Sequence, residues 1–175
     1  LTLAAGLPGV LWPLAALFYC FAENIRRRVD GSCPYESRHG KDIIKAKMVV
    51  APFGCKVGYI PNPIKVKKGH GISKPLPRVQ VGVMLGYNVA PGGLWGGSYI
   101  IADLKEFVGV SLCQTATKQQ VKFKTQSVTR IIMPLGPTGD EELIYPLKEK
   151  YDAINGTLKG LTDPHAPVTE ADVGG

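Results

Sequence analysis

Residues 79–107, VQVGVMLGYNVAPGGLWGGSYIIADLKEF, predict a β-hairpin at the centre of the fold. In the first half every second residue is apolar, as in a strand that buries one face: Val79, Val81, Val83, Leu85 and Tyr87. The glycines and the proline of residues 90–97 allow the backbone to reverse, and residues 98–102 form the returning strand. Because an isolated hairpin is only marginally stable in water, we expect flanking strands to complete a small β-barrel.

Three other segments have the composition of strands. Residues 55–60 predict the first strand, with Lys56 on one side and three apolar residues on the other: Cys55, Val57 and Tyr59. Residues 120–124 and 128–133 predict two strands after the hairpin. Together with the hairpin they place the predicted barrel within residues 41–134.

The first 22 residues contain no charged side chain, and three arginines follow at positions 26–28. This length reaches the threshold for a membrane-spanning helix. However, glycine and proline interrupt the first half, so the predicted helix shortens to residues 11–28, with Pro13 in its first turn. Its apolar stripe follows helical spacing and consists of Leu14, Leu17, Phe18, Phe21 and Ile25, widened by Trp12, Ala15 and Cys20. The pattern favours a helix buried in a larger protein core over a membrane anchor.

A short helix is expected next, with Ser32 or Cys33 at its cap, Pro34 at its first position and Tyr35 packed back on the first helix.

Charge is distributed unevenly along the chain. Residues 1–134 contain 18 Lys and Arg against 6 Asp and Glu, whereas residues 135–175 contain 3 against 8. The excess of positive charge in residues 1–134 predicts a polyanionic partner. The phosphate backbone of DNA or RNA is the leading candidate, and an acidic membrane surface is the second. In the acidic part, a short helix within residues 142–158 and a disordered end are expected.

The predicted phosphate contacts lie on the first strand, on the long loop of residues 61–77 and its end, and on the strand of residues 120–124. They are Lys56, Lys65, Lys67, Lys68, His70, Lys74, Arg78, Lys122 and Lys124. Lys122 and Lys124 alternate with apolar residues and are expected on one exposed face. Trp95, at the hairpin tip, is either a base contact or a packing residue, and packing is favoured.

No catalytic constellation is recognisable in the sequence. The chain has three histidines, and Asp103 and Glu106 are spaced as residues that cap a turn. The four cysteines are widely spaced and form no zinc motif, so we expect free thiols in a reducing, intracellular compartment: Cys20, Cys33, Cys55 and Cys113. The sequence therefore predicts no metal or cofactor in this chain.

Five motifs occur in an order that resembles the integrase region of copia-type retrotransposon Pol polyproteins. They are LPGVLWPLA at 7–15, Asn24, PYE at 34–36 with Gly40, FGCKV at 53–57 and LGY at 85–87. The Gly-rich turn after LGY resembles that of a divergent subgroup of this family, in which the hairpin has an enlarged Gly-rich loop. The resemblance covers about residues 1–134. It implies a mostly β chain: residues 1–40 are the terminal helix and turn of an RNase H-like catalytic core, residues 41–134 an SH3-like β-barrel, and residues 135–175 an acidic, largely disordered tail.

The same resemblance implies a function for the chain as a fragment. The acidic triad and divalent metal of the parent DNA integrase would lie upstream of Leu1, so no catalytic residue is assigned here. The fragment is expected to bind nucleic acid without sequence preference during DNA integration, in contact with the rest of the integrase core or with further copies, in the nucleus or a virus-like particle. Two alternatives stay open: a membrane-anchored protein with a cytosolic SH3-like module, and a barrel that binds proline-rich peptides through Tyr87, Trp95 and Tyr99.

Overall fold

The computed structural model describes residues 1–40, 48–61, 79–112 and 123–155. Four α-helices occur in these segments: α1 (Thr2–Ala5), α2 (Trp12–Ile25), α3 (Pro34–His39) and α4 (Lys148–Asn155). Five strands accompany them: β1 (Lys56–Tyr59), β2 (Gln80–Val89), β3 (Trp95–Asp103), β4 (Thr125–Val128) and β5 (Ile131–Ile132). Two 3₁₀ turns, Gly9–Leu11 and Leu104–Phe107, precede α2 and follow β3. The described part is thus mixed α and β, not mostly β as predicted.

The five strands form one antiparallel sheet in the order β4-β3-β2-β1-β5. The predicted hairpin is confirmed as β2 and β3, and the first predicted strand is β1. The prediction of a strand at residues 120–124 is wrong at the two residues of this range that the structure describes. Phe123 and Lys124 precede β4 and lie outside any strand. The last predicted strand shortens to β5.

The connection between β4 and β5 shows that the sheet is strongly curled. These strands are at opposite edges, which in a flat five-stranded sheet would be about 19 Å apart. Yet only Thr129 and Arg130 separate them in the chain, and three Cα steps span at most about 11 Å. The two edges must therefore approach each other, as in a nearly closed barrel.

β2 contains a β-bulge, and the side chains that it buries differ from those predicted. The pairing of Met84 with Ile101 and of Gly86 with Ile100 leaves Leu85 as an extra residue. Met84 and Gly86 are buried, although strict alternation had placed them on the outer face, whereas Val79 and Val81 are exposed. The predicted apolar face is therefore wrong at the start of the strand and correct at Val83, Leu85 and Tyr87, where the opposite face is buried as well.

Helix α2 packs one face on β2, where the rings of Phe18 and Phe21 contact Tyr87 at centroid distances of 5.5 and 4.9 Å. Pro13 lies in its first turn, as predicted. The predicted stripe is wrong at Leu17, which is 69% exposed because it lies on the side of the helix away from the sheet. Trp12 and Cys20 are exposed as well. None of the helices in the described segments has the length and apolar composition of a membrane span.

Helix α3 begins as predicted, with Cys33 at its cap and Pro34 at its first position. Tyr35 is buried against Phe21 of α2, with their rings edge to face at 6.0 Å. The thiol of Cys33 points to the carbonyl oxygens of Asn24 and Ile25 at 3.6 and 3.5 Å. This contact satisfies acceptors at the end of α2 and links the two helices.

Regular structure extends further into the acidic segment than predicted. Leu135 and Glu141 form a β-bridge, the carbonyl of Ile144 accepts the Lys56 N–H at 2.7 Å, and Tyr151 of α4 is buried. Helix α4 begins after Pro146, inside the predicted range. Residues 135–155 therefore pack on the remainder of the chain, while the end predicted to be disordered lies beyond the described residues.

Candidate nucleic-acid interface

The register of the sheet defines one end at which two connections leave the strands. Tyr59 at the end of β1 pairs with Gln80 at the start of β2, and Asp103 at the end of β3 pairs with Gly82. Thr125 at the start of β4 pairs with Ala102, one residue before Asp103. We call this region the loop end. The chain between β1 and β2 and the chain between β3 and β4 are both anchored there.

The two connections at the loop end are strongly basic in sequence. The first has five cations, Lys65, Lys67, Lys68, Lys74 and Arg78, and no carboxylate. The second has four, Lys105, Lys118, Lys122 and Lys124, against Glu106. Most of the predicted contacts lie outside the described residues, namely Lys65, Lys67, Lys68, His70, Lys74, Arg78 and Lys122. Their anchoring strands are described, and these bring both connections to one end of the sheet.

Lys105 and Lys124 lie at the two ends of the second connection, and contacts at and beside these residues hold the two ends together. The Lys124 N–H donates to Oε2 of Glu106 at 3.4 Å, and the rings of Phe107 and Phe123 lie 4.9 Å apart. Both lysine side chains are exposed. Lys105 was not among the predicted phosphate contacts. Its position directly after the returning strand of the hairpin is the signal that would have placed it at this end.

Lys56 belongs to the same half of the sheet. It pairs with Val83, which pairs with Ala102, which in turn pairs with Thr125, the neighbour of Lys124. Lys56 is half-buried and lies three strands from Thr125, about 14 Å along the sheet. The two described members of the predicted set, Lys56 and Lys124, thus lie in the same half of the sheet but three strand positions apart.

The opposite end of the hairpin is occupied by helix α3. The Trp95 N–H donates to the Tyr35 hydroxyl at 3.1 Å, and the Trp95 indole N–H donates to the carbonyl of Ser98 at 3.1 Å. The Trp95 ring also packs edge to face on Tyr99, with 5.6 Å between centroids. Trp95 therefore has the packing role that was favoured, and it lies away from the basic connections.

The aromatic peptide groove considered above is not present at these residues. Tyr87 and Tyr99 are buried, and their hydroxyls bind the backbone of residues 49–51. Burial is also the main cause that raises the pKa of both phenols. These tyrosines belong to the core and offer no exposed surface to a proline-rich ligand.

A cavity of about 480 Å³ opens at the loop end. Its polar wall includes Gln80 and Asp103, both of which contact the buried hydroxyl of Tyr59, at 3.0 and 3.2 Å. The Gln126 amide donates to the same hydroxyl at 2.8 Å. Burial, followed by the Asp103 charge, raises the pKa of Tyr59 to about 12, so this hydroxyl stays protonated at neutral pH.

The remaining candidates for chemistry have structural roles. Asp103 caps the 3₁₀ turn by accepting the Lys105 N–H at 2.9 Å, as predicted for this carboxylate. Within the described segments, no three His, Cys, Asp or Glu side chains are grouped so that they could hold a metal ion. Cys20, Cys33 and Cys55 are free thiols, and burial raises the pKa of Cys55 to about 11. A buried thiol with a raised pKa is a poor nucleophile.

Comparison with known proteins adds no identification. No protein-family model, no curated protein sequence and no solved structure matched this chain significantly. The geometry of the loop end and the sequence of its connections are therefore the observations that bear on function.

Proposed function

We propose that the chain binds nucleic acid through the loop end of its sheet, by phosphate neutralisation and without sequence preference. The observation behind this proposal is the shared anchoring of two basic connections, which contain nine lysines and arginines and one carboxylate. Cations brought to one end of a domain attract a polyanion more strongly than the same cations spread over its surface. Lysine and arginine contacts to phosphate are independent of base sequence.

The proposed contact set extends the sequence prediction by one residue. Lys105, Lys124 and Lys56 are the described members. The others are Lys65, Lys67, Lys68, His70, Lys74, Arg78 and Lys122. Because lysine neutralises phosphate without a metal ion, binding is expected to persist in the presence of a chelator.

We further propose that the barrel is SH3-like and that the chain is a segment of a copia-type retrotransposon integrase, comprising the end of its catalytic core and its C-terminal barrel. The strand order supports this assignment, because β1 lies between β2 and β5 and two residues join the edge strands. The motif order LP–W–PYE–FGC–LGY supports it independently. In this role the barrel holds DNA while the core, with its own metal ions, joins strands in the nucleus or in a virus-like particle.

The direct test is the salt dependence of binding by the full 175-residue chain. Fluorescence anisotropy of a labelled 20-base-pair duplex is measured from 50 to 300 mM salt. With about six phosphate contacts, the slope of log K against log salt is expected near −5. Duplexes of unrelated sequence are expected to bind equally well. Absence of binding at 50 mM salt, or a slope near zero, contradicts the proposal.

A further inference from the structure

The carboxylate in the wall of the cavity at the loop end has acceptor positions beyond those it uses within the described residues. An ionised carboxylate has about four acceptor positions, and Asp103 uses two of them, for the Tyr59 hydroxyl and the Lys105 N–H. The Tyr59 hydroxyl has one proton but lies within bonding distance of both Asp103 and Gln80. The polar wall of the cavity therefore favours a ligand that supplies N–H donors.

The other walls are apolar and partly open. Val79, Val81, Leu104 and Val108 line the cavity beside Gln80 and Asp103. Val108 is 80% exposed, and Val79 and Val81 are each more than 40% exposed. Exposed valines on either side of a carboxylate suit a flat apolar ring whose edge bears the donors. The volume is in the range of small-molecule sites and exceeds that of one nucleobase.

The charge around the cavity selects among such ligands. Lys105 also lines it, and Lys124 lies at the base of the same connection. A cationic peptide would be repelled by these lysines, whereas a nucleotide can place its phosphate near them and its base in the cavity. The geometry points to an unpaired nucleobase as the occupant, and this inference rests on the proposed function.

Among the bases, guanine matches the wall best. Its Watson–Crick edge presents two adjacent N–H donors, N1–H and the N2 amino group, which can reach two carboxylate oxygens together. Thymine presents one N–H between two acceptors, and cytosine and adenine present an amino group beside an acceptor. The cavity is thus a site for an unstacked guanine in single-stranded DNA or RNA, and it adds a base preference to the sequence-independent phosphate binding.

The test compares oligonucleotides that differ at one base. Labelled dT20 is compared with the same strand containing one central guanine, or one central inosine, which lacks the N2 amino group. The full chain is expected to bind the guanine strand roughly tenfold more tightly than dT20, with the inosine strand between them. Equal binding of the three strands overturns this inference and leaves phosphate binding intact. Failure of all three to bind refutes the proposed function and with it this inference.

Two variants test the assignment of the site. Asp103→Asn keeps an oxygen for the 3₁₀ cap but replaces one acceptor by a donor, and Val108→Trp fills the cavity from an exposed position. Both are expected to bind dT20 as the wild type does and to lose the guanine preference. The control is Asp140→Asn, which makes the same charge change in the exposed turn after Gly136. Persistence of the preference in both test variants overturns the inference.

Discussion

The hydroxyl of Tyr87 bonds to both backbone groups of Ala51, accepting its N–H at 3.2 Å and donating to its carbonyl at 3.3 Å. Tyr99, the cross-strand partner of Tyr87, accepts the Val49 N–H at 2.8 Å in the same way. The two phenols thus take the place of a neighbouring strand for residues 49–51. They attach the segment that leads into β1 to the centre of the sheet.

Tyr87→Phe is therefore expected to destabilise the fold. Ala51 is fully buried, so loss of the hydroxyl leaves a buried N–H and a buried carbonyl without this partner, at a cost of about 2 kcal/mol in the free energy of unfolding. Urea denaturation followed by circular dichroism measures the change. Tyr19→Phe, which removes an exposed hydroxyl on α2, is the control and should leave stability within about 0.5 kcal/mol. Equal stability of the two variants would contradict the role of this bond.

The sequence was sufficient for features that depend on local spacing. The β2–β3 hairpin, the start of α3 at Pro34 and the turn cap at Asp103 each follow from neighbouring residues. The bulge at Leu85 was not predictable, because it depends on how β2 pairs with β3. The exposure of Leu17 likewise depends on which face of an apolar helix the sheet covers.

The candidate site was predictable only in part, for a related reason. Clusters of lysine in the sequence indicated the type of ligand. That the two basic connections share one end follows from the pairing of Tyr59 with Gln80 and of Ala102 with Thr125, which composition does not specify. The polar wall formed by Gln80 and Asp103 depends on the same pairing, because these residues are far apart in the chain.

Gly82 is expected to tolerate no side chain. A Cβ there would lie 2.5 Å from Cγ2 of Ile101 and 2.8 Å from the carbonyl oxygen of Ala102, so the β2–β3 pair would have to shift. Gly82→Ala should therefore lower the free energy of unfolding by about 1–3 kcal/mol. Gly9→Ala is the matched control, since a Cβ at that position meets no atom within 4 Å. Thermal denaturation compares them, and a neutral Gly82→Ala would show that the strands are less tightly packed than described.

Cys55 is expected to make stability fall with pH above 9. Burial raises its pKa from 9.0 to about 11, so the thiol ionises more readily in the unfolded chain than in the folded one. The resulting contribution is fully present below pH 9 and is lost between pH 9 and 11. Urea denaturation from pH 8 to 10 should show a flatter decline for Cys55→Ala than for the wild type. Cys20→Ala, which removes an exposed thiol, should keep the wild-type slope, and equal slopes in all three proteins would refute the assignment.

The outer face of α2 is expected to cause self-association at high concentration. Trp12, Leu17 and Tyr19 are all more than half exposed on a stretch without charges, and several exposed large apolar side chains on one helix promote association. Leu17→Gln should lower the sedimentation coefficient at tens of micromolar protein without changing the free energy of unfolding. Leu135→Gln replaces an equally exposed leucine outside this helix and should sediment as the wild type does. An identical decrease for both variants would exclude a specific role of α2.

Lys105 and Lys124 are expected to contribute to nucleic-acid binding beyond their effect on net charge. Each is exposed at the base of a basic connection, so alanine at either position should weaken duplex binding about twofold to fivefold at 100 mM salt. The double variant should reduce the magnitude of the salt slope by about two, one for each lost phosphate contact. Arg38→Ala removes the same charge from α3, on the helical side of the molecule, and should leave both affinity and slope near the wild-type values. If Arg38→Ala weakens binding as much as Lys105→Ala or Lys124→Ala, the duplex responds to overall charge and not to the loop end.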